Sequence, residues 1–179
     1  MKLLRTIRLD PSDTFVFDKA AEPGEWAVPG GFAFGRGDPA KLQGKARAVF
    51  RSGFLGIASL GWSTLVQIVE ASVDDRAAAV DLLAKQLLSH FGAPDAAAAE
   101  QAAIEEIDFA ASLCNQPADT LIAVHRVYED DAVREAFRTL RPRGGPKPLR
   151  AFSFLEVEGE DNEPGDEVDL AALAQGERK

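Results

Sequence analysis

The chain has 179 residues, of which 46% are hydrophobic, and its formal net charge at pH 7 is −9. A chain of this length can build one domain with its own core, so neither a metal nor disulfides are needed for stability. Its single cysteine, Cys114, excludes an internal disulfide. The sequence contains no run of about 18 apolar residues, so we expect no transmembrane helix and a cytoplasmic location.

The charge is distributed unevenly along the sequence. Residues 156–179 carry nine acids and two bases, whereas the first 155 residues carry 18 bases and 20 acids, a net charge of only −2. A near-neutral body with an acidic end repels phosphate backbones, so we expect no nucleic-acid binding. We predict one domain over residues 1–157, a basic Pro/Gly linker at 141–149 before its last strand, and a disordered acidic tail at 158–179.

Short strands separated by turns are predicted for the N-terminal part of the chain. Alternation of apolar and polar residues, or enrichment in aromatic and β-branched residues, predicts strands over residues 3–9, 14–17 and 26–28. Asp38 is a typical N-cap, and Pro39 suits the first helical position because its missing N–H costs nothing there. We therefore predict a helix from Asp38 to about Gly53.

The rest of the chain predicts a sheet and two long helices. Strands are expected over 54–60, 63–71, 120–129 and 151–157. One long helix starts at Asp74 or Asp75 and ends near Phe91, and the other is capped by Asp95 and ends near Cys114. A short helix is predicted from Asp130 or Asp131 to about Leu140, with Val133, Phe137 and Leu140 facing inward. The fold class is therefore α+β, with a mainly antiparallel sheet covered by the pair of long helices in a single domain.

Residues 30–37 form the most glycine-rich stretch. Successive backbone N–H groups ahead of a helix N-terminus can hold an anion, with Arg36 as its counter-charge. The spacing matches neither the P-loop nor the dinucleotide-binding fingerprint. Turns that close a β-meander are the simpler interpretation. Gly35 and Arg36 are kept as candidate ligand-binding residues.

Trp26, Trp62 and His125 complete the candidate ligand-binding set. Tryptophan is enriched in binding sites and interfaces, although burial in a core is its commoner role. His125 shares a strand face with Leu121 and Val127, which favours a hydrogen-bonded, half-buried core histidine over a catalyst. Because the chain has only two histidines, we predict no metal site, and no motif calls for a cofactor.

No catalytic motif in the chain is complete. Gly61-Trp62-Ser63 satisfies half of the Gly-x-Ser-x-Gly pattern, but Leu65 occupies the second glycine position. Cys114 lies at a helix C-terminus, where the dipole disfavours a thiolate, so we predict a buried structural thiol. The acids of Glu105-Glu106-Ile107-Asp108 lack the histidine of the di-iron pattern, which favours a solvated helix face. Catalytic residues remain unassigned, and the incomplete motifs favour a protein that is not an enzyme.

Three segments carry a family resemblance: residues 3–17, residues 24–34, and residues 53–57 together with 61–66. They resemble an uncharacterised, mainly alphaproteobacterial protein family of unknown function. The resemblance covers about residues 1–157 and leaves the acidic tail outside. It implies a small cytoplasmic protein and supplies no catalytic residue.

Three functions remain open. The first is a non-enzymatic accessory or adaptor protein that contacts a protein partner or associates with itself, as the missing catalytic motifs and the adjacent basic and acidic segments suggest. The second is a small-molecule or anion-binding domain that uses Gly30–Gly37. The third is an enzyme of unrecognised type built on scattered residues such as His125.

Overall fold

The computed structural model describes residues 1–35, 37–141 and 156–157. Their strands form one antiparallel sheet in the order β4-β3-β2-β1-β5-β6-β7-β8. The strands are β1 Lys2–Ile7, β2 Trp26–Val28, β3 Phe54–Gly56, β4 Trp62–Ser63, β5 Leu65–Glu70, β6 Leu121–Glu129, β7 Ala132–Arg141 and β8 Glu156–Val157. The helices are α1 Ser12–Val16, α2 Gly44–Ser52, α3 Val73–His90 and α4 Ala96–Ser112, with 3₁₀ turns at Gly31–Phe34 and Pro39–Lys41. The prediction of an α+β single domain with an antiparallel sheet is confirmed.

The two long helices pack against the sheet and complete the core. Asp95 caps α4 as predicted, because its side chain accepts a hydrogen bond from the Ala98 amide at 2.8 Å. The N-cap of α3 is Ser72, which forms a capping box with Asp75, so this helix begins before the predicted acids. The core joins these helices to the inner strands through buried side chains, among them Leu4, Val28, Phe54, Val66, Ile68, Leu83, Ile107 and Ile122. Each large side chain of this kind contributes about 1.5–3 kcal/mol through burial.

The strand predicted over residues 14–17 is wrong, because residues 14–16 belong to the short helix α1 and Phe17 is its C-cap. Asp13 lies in this helix with its carboxylate buried, where it accepts hydrogen bonds from the Ser63 hydroxyl and the Thr64 amide. In a strand, Phe15 and Phe17 would lie on the same face, and both would be buried in the core. Instead Phe17 is buried, while Phe15 is 72% exposed. The contact with Ser63 and Thr64 therefore overrides the local β propensity.

The helix predicted from Asp130 or Asp131 to Leu140 is also wrong. The segment forms β7, which pairs along its length with β6 in a hairpin. Asp130 and Asp131 have φ values of 53° and 57°, as in the two-residue turns that join antiparallel strands, and aspartate tolerates this left-handed region. Val133 and Phe137 lie four residues apart, so they share a face in a strand as well as in a helix.

The helix predicted from Asp38 is divided in two. Asp38 does act as an N-cap, accepting from the Ala40 amide at 3.0 Å, but only for the 3₁₀ turn Pro39–Lys41. Extended backbone follows, and α2 then begins at Gly44, whose φ of +54° favours glycine. Helix α2 ends at Ser52 with Gly53 as its C-cap, where a Cβ atom would lie 2.7 Å from the Trp62 ring.

The C-terminal predictions fall mostly beyond the described residues. Of the strand predicted at 151–157, only Glu156 and Val157 are described, and they pair with Arg141 and Leu140 of β7. The linker beyond Arg141 and the acidic tail at 158–179 lie outside the described residues. Among the helices described, none has the length and apolar character needed to span a bilayer.

Candidate functional site

A buried arginine lies where the sheet, α2 and the first 3₁₀ turn meet. Arg126 of β6 is completely buried, and its Nε donates to Glu135 Oε1 at 2.5 Å. Its Nη1 donates to the carbonyl oxygens of Gly53 at 2.7 Å and Phe50 at 3.3 Å, and its Nη2 donates to the carbonyl of Pro29. The guanidinium group therefore fastens α2 and the segment after β2 to the sheet.

A second carboxylate adjoins this ion pair, so the prediction of a solvated face at residues 105–108 is wrong for Glu106. Its Oε1 accepts a hydrogen bond from the Gly30 amide at 2.9 Å. Burial raises the pKa of Glu106, the Gly30 hydrogen bond lowers it, and the nearby charges of Glu135 and Arg126 raise and lower it respectively. The other acids of this run do face solvent: Glu105 accepts from Gln101, and Asp108 pairs with Arg76.

The half-buried Glu106 affects the anion site predicted in the glycine-rich loop. The Gly30 amide already donates a hydrogen bond to the carboxylate of Glu106. Gly30 has a φ of +74°, and a Cβ atom there would lie 2.7 Å from Leu55 Cβ, so glycine is required. Gly35 is exposed, and its amide donates to the Phe32 carbonyl oxygen. Arg36 lies outside the described residues, and a ligand site at Gly35 and Arg36 stays a prediction.

The two tryptophans have separate surroundings. Trp26 is half-buried, and the Arg5 guanidinium lies 4.0 Å from the centroid of its ring in a cation–π contact. Trp62 packs beneath the glycine-rich loop, with its ring centroid 5.4 Å from that of Phe34. Both side chains have structural contacts, and a ligand-binding role for either stays a prediction.

An open groove of about 410 Å³ lies between α2 and β6. Helix α2 contributes Arg47, Phe50 and Arg51, and β6 contributes residues 125–129. Pro39 and Ala40, which follow the glycine-rich loop, complete its wall. We call this the basic groove. His125 is one of the residues that line it.

The structure corrects the prediction that His125 is a half-buried core residue. Its side chain is exposed and lines the basic groove, opposite Ala136 of β7 in the strand pairing. The neighbouring positions Val124 and Arg126 point to the buried side of the strand. His125 therefore presents its imidazole to solvent beside the groove arginines.

The arginines of the groove differ in whether their guanidinium groups already have hydrogen-bond or ion-pair partners. The guanidinium of Arg126 is already committed to Glu135 and three carbonyl oxygens, so it forms part of the wall. Arg47 and Arg51 are exposed, and no carboxylate of the described residues lies within ion-pair distance of either. Glu129 supplies one acid at the groove margin. The groove thus offers two uncommitted guanidinium groups and an imidazole against one carboxylate.

Ser63 and Cys114, the candidate nucleophiles considered in the sequence, have structural contacts. The Ser63 hydroxyl donates to the Leu65 carbonyl oxygen at 2.8 Å. Cys114 is 5% exposed, and burial raises the pKa of its thiol to about 11, which confirms the predicted buried structural thiol. Within the described ranges, no three His, Cys, Asp or Glu side chains are grouped closely enough to hold a metal ion.

We expect Glu106→Gln to stabilise the protein at neutral pH relative to the wild type. Folding raises the pKa of Glu106, so ionisation above that pKa weakens the folded state, and glutamine keeps an acceptor for the Gly30 amide. Because this penalty disappears as falling pH protonates Glu106, the difference in unfolding free energy should vanish towards pH 4. Urea titrations between pH 4 and 8 measure it. A pH-independent difference would contradict the burial of an ionisable Glu106.

Comparison with known proteins gives one assignment. The model of DUF6505, described as a family of unknown function, matches residues 1–153, and the chain belongs to this family. Neither the curated proteins nor the solved structures contain a match to the chain. The matched range includes every residue of the basic groove and ends before the acidic tail. The family carries no assigned chemistry to transfer to these residues.

Proposed function

We propose that this member of a family of unknown function is a non-enzymatic accessory protein that binds an acidic segment of a partner protein in the basic groove. One observation carries the proposal: Arg47 and Arg51 line the same groove, and the described residues supply no carboxylate for either. Arginine pairs with carboxylates through two parallel hydrogen bonds, which makes these side chains suitable receptors for Asp and Glu.

The shape of the groove supports an extended chain as its ligand. Helix α2 has nine residues and forms one long wall. At 1.5 Å per residue this wall is about 13 Å long, which matches about four residues of extended peptide at 3.3 Å each. Phe50 and Val127 supply apolar surface between the charged side chains. A short acidic segment can therefore lie along α2 with its carboxylates on the arginines.

The charge of the whole molecule makes such binding specific to this surface. A net charge of −9 repels an acidic peptide at long range, so attraction must come from a local group of bases. Arg47, Arg51 and His125 are such a group, with Glu129 as the opposing acid. Binding should strengthen as the salt concentration falls.

A fluorescein-labelled hexaglutamate peptide provides the probe. We expect the full chain to bind it at low salt with a Kd of about 100 μM, equivalent to about −5.5 kcal/mol. Arg47→Glu combined with Arg51→Glu should weaken binding by at least about tenfold, because both guanidinium partners become repulsive. Fluorescence anisotropy measures the Kd of each variant.

Lys19→Glu combined with Lys85→Glu is the matched control. Both lysines are exposed, lie outside the groove lining, and have no ion pair with a described residue. This control changes the net charge by the same amount as the groove variant, and its Kd should remain within about twofold of the wild-type value, since distant surface charges are screened. Equal losses of affinity in the two variants would reject the groove as the binding site.

A small anionic ligand is the second candidate for the same groove. It is favoured by the position of Pro39 and Ala40, which carry the end of the glycine-rich loop to the groove wall. Pro39 follows the candidate residue Gly35 by four positions in the chain. A rise in the melting temperature with citrate that Arg51→Glu abolishes, without hexaglutamate binding, would favour this function over peptide binding.

A further inference from the structure

We infer that protonation of Glu106 regulates the basic groove, because Glu106 and Glu135 compete for the guanidinium group that fastens α2 to the sheet. That group belongs to Arg126. When Glu106 holds a proton, the charge of Arg126 is left to Glu135 and α2, whereas loss of the proton adds a second carboxylate that attracts the same cation. The effect on groove binding rests on the proposed function, and the effect on α2 does not.

A single peptide group joins Glu106 to Arg126. The Pro29 carbonyl oxygen accepts a hydrogen bond from Arg126 Nη2, and the Gly30 N–H of the same peptide group donates to Glu106 Oε1 at 2.9 Å. Hydrogen bonds on the two sides of one peptide group polarise each other and strengthen together. Ionisation of Glu106 therefore strengthens both bonds and draws the guanidinium group towards Pro29.

The cluster contains two carboxylates and one cation. The charged groups that act on Glu106 are Glu135 of β7, which raises its pKa, and Arg126 of β6, which lowers it. Helix α3 contributes Arg76 nearby, but this arginine pairs with Asp108 at 2.6 Å. Arg126 is completely buried and the Glu135 side chain is only 20% exposed, so water screens these charges weakly. One proton on Glu106 removes the surplus negative charge of the cluster.

Helix α2 responds to this proton through its last carbonyl groups. Arg126 Nη1 donates to the carbonyl oxygens of Phe50 and of the C-cap Gly53, and a cation at this end of a helix stabilises it. The two exposed arginines of the groove stand on the same helix. Because folding raises the pKa of Glu106, the hold on α2 is complete below the ordinary pKa of glutamate and weakens as the pH rises through the raised pKa.

A pH titration of the ¹³C,¹⁵N-labelled full chain by NMR tests the link between Glu106 and α2. We expect the amide ¹⁵N signals of Arg51 and Phe54, which follow the two carbonyl groups bound by Arg126, to titrate with the midpoint of the Glu106 carboxyl ¹³C signal. Glu106→Gln should abolish this titration. Glu105→Gln is the matched control, because it removes a neighbouring exposed acid of α4, and it should preserve the titration.

Glu135→Gln tests the competition between the two carboxylates. It should lower the midpoint of Glu106 by about one pH unit or more, because a repelling charge is lost and Arg126 is freed for Glu106. An unchanged midpoint would overturn the inference, as would α2 signals that do not titrate or that follow His125. Glu106→Gln removes a charge that opposes folding, so its NMR titration remains decisive even where Glu135→Gln does not fold.

A binding measurement separates this inference from the proposed function. At neutral pH, Glu106→Gln should bind the labelled hexaglutamate about fivefold more tightly than the wild type, a typical coupling between two sites. Glu105→Gln, which removes the same charge, should stay within about twofold of the wild type. An unchanged Kd in Glu106→Gln, or an equal gain in both variants, would overturn the regulation and leave the proposed function standing. Absence of binding in all three proteins, with the shared NMR midpoint present, would overturn the proposed function and support the link between Glu106 and α2.

Discussion

Replacing Arg126 by methionine is expected to lower the free energy of unfolding by about 3–5 kcal/mol, the usual cost of removing one partner of a buried ion pair. The substitution leaves Glu135 beside Glu106 without a counter-charge. It also removes the donor for the carbonyl oxygens of Pro29, Phe50 and Gly53. Methionine retains much of the side-chain volume, so the loss reports on charge and hydrogen bonds and contains little cavity energy.

Arg134→Met is the control for this substitution. Arg134 lies on the neighbouring strand and pairs with Asp130 on an exposed surface, so its loss should cost at most about 1 kcal/mol. Combining Arg126→Met with Glu135→Leu should cost less than Arg126→Met alone, because the orphaned carboxylate is removed. Urea unfolding measures all three variants. A loss of under about 1 kcal/mol for Arg126→Met would show that Arg126 does not fasten α2 and the segment after β2 to the sheet.

Asp13→Ala is expected to give the second large loss, about 2–3 kcal/mol, which is typical for buried polar groups left without partners. The Asp13 side chain is buried, and its Oδ2 accepts from the Ser63 hydroxyl at 3.2 Å and from the Thr64 amide at 3.2 Å. The Thr64 hydroxyl is a further donor. These contacts hold α1 against the junction between β4 and β5, so their removal should detach the helix.

Two further substitutions define the cause of that loss. Asp10→Ala removes an exposed carboxylate that accepts from the Ser12 amide at 2.7 Å, and it should cost no more than about 1 kcal/mol. Asp13→Asn keeps one acceptor oxygen, so its loss of unfolding free energy should be about half that of Asp13→Ala. Equal effects of Asp10→Ala and Asp13→Ala would show that α1 is held by local capping alone. Guanidinium unfolding provides the free energies.

The success and failure of the sequence predictions have a common physical basis. The long helices and most strands were predictable because their apolar periodicity extends over many residues and their caps are local, as at Asp95. Residues 14–17 were mispredicted because Asp13 is held by Ser63 and Thr64, about fifty residues away. β7 was mispredicted because Val133 and Phe137 fit both helical and strand periods, and only pairing with β6 decides between them.

The site was predictable only in part. His125 was a candidate from sequence, and the structure places it at the basic groove beside Arg47 and Arg51, which the sequence analysis did not single out. The ion pair of Arg126 and Glu135 was missed, although one signal was present. Arg126 shares a strand face with the buried Ile122 and Val124, and an arginine on such a face requires a partner. Glu106 accepts a hydrogen bond from the Gly30 amide, 76 residues away, and no local pattern indicates this contact.

The central claim is that the groove between α2 and β6 receives an acidic segment. Titration of the ¹⁵N-labelled full chain with hexaglutamate, followed by NMR, tests it most directly. We predict saturable shifts of the amide signals of Gly44–Ser52 and His125–Glu129 that diminish with added salt and are lost in the combined Arg47→Glu and Arg51→Glu variant. Shifts centred on Trp26 or on Gly30–Gly35, with α2 and β6 unaffected, would contradict the account.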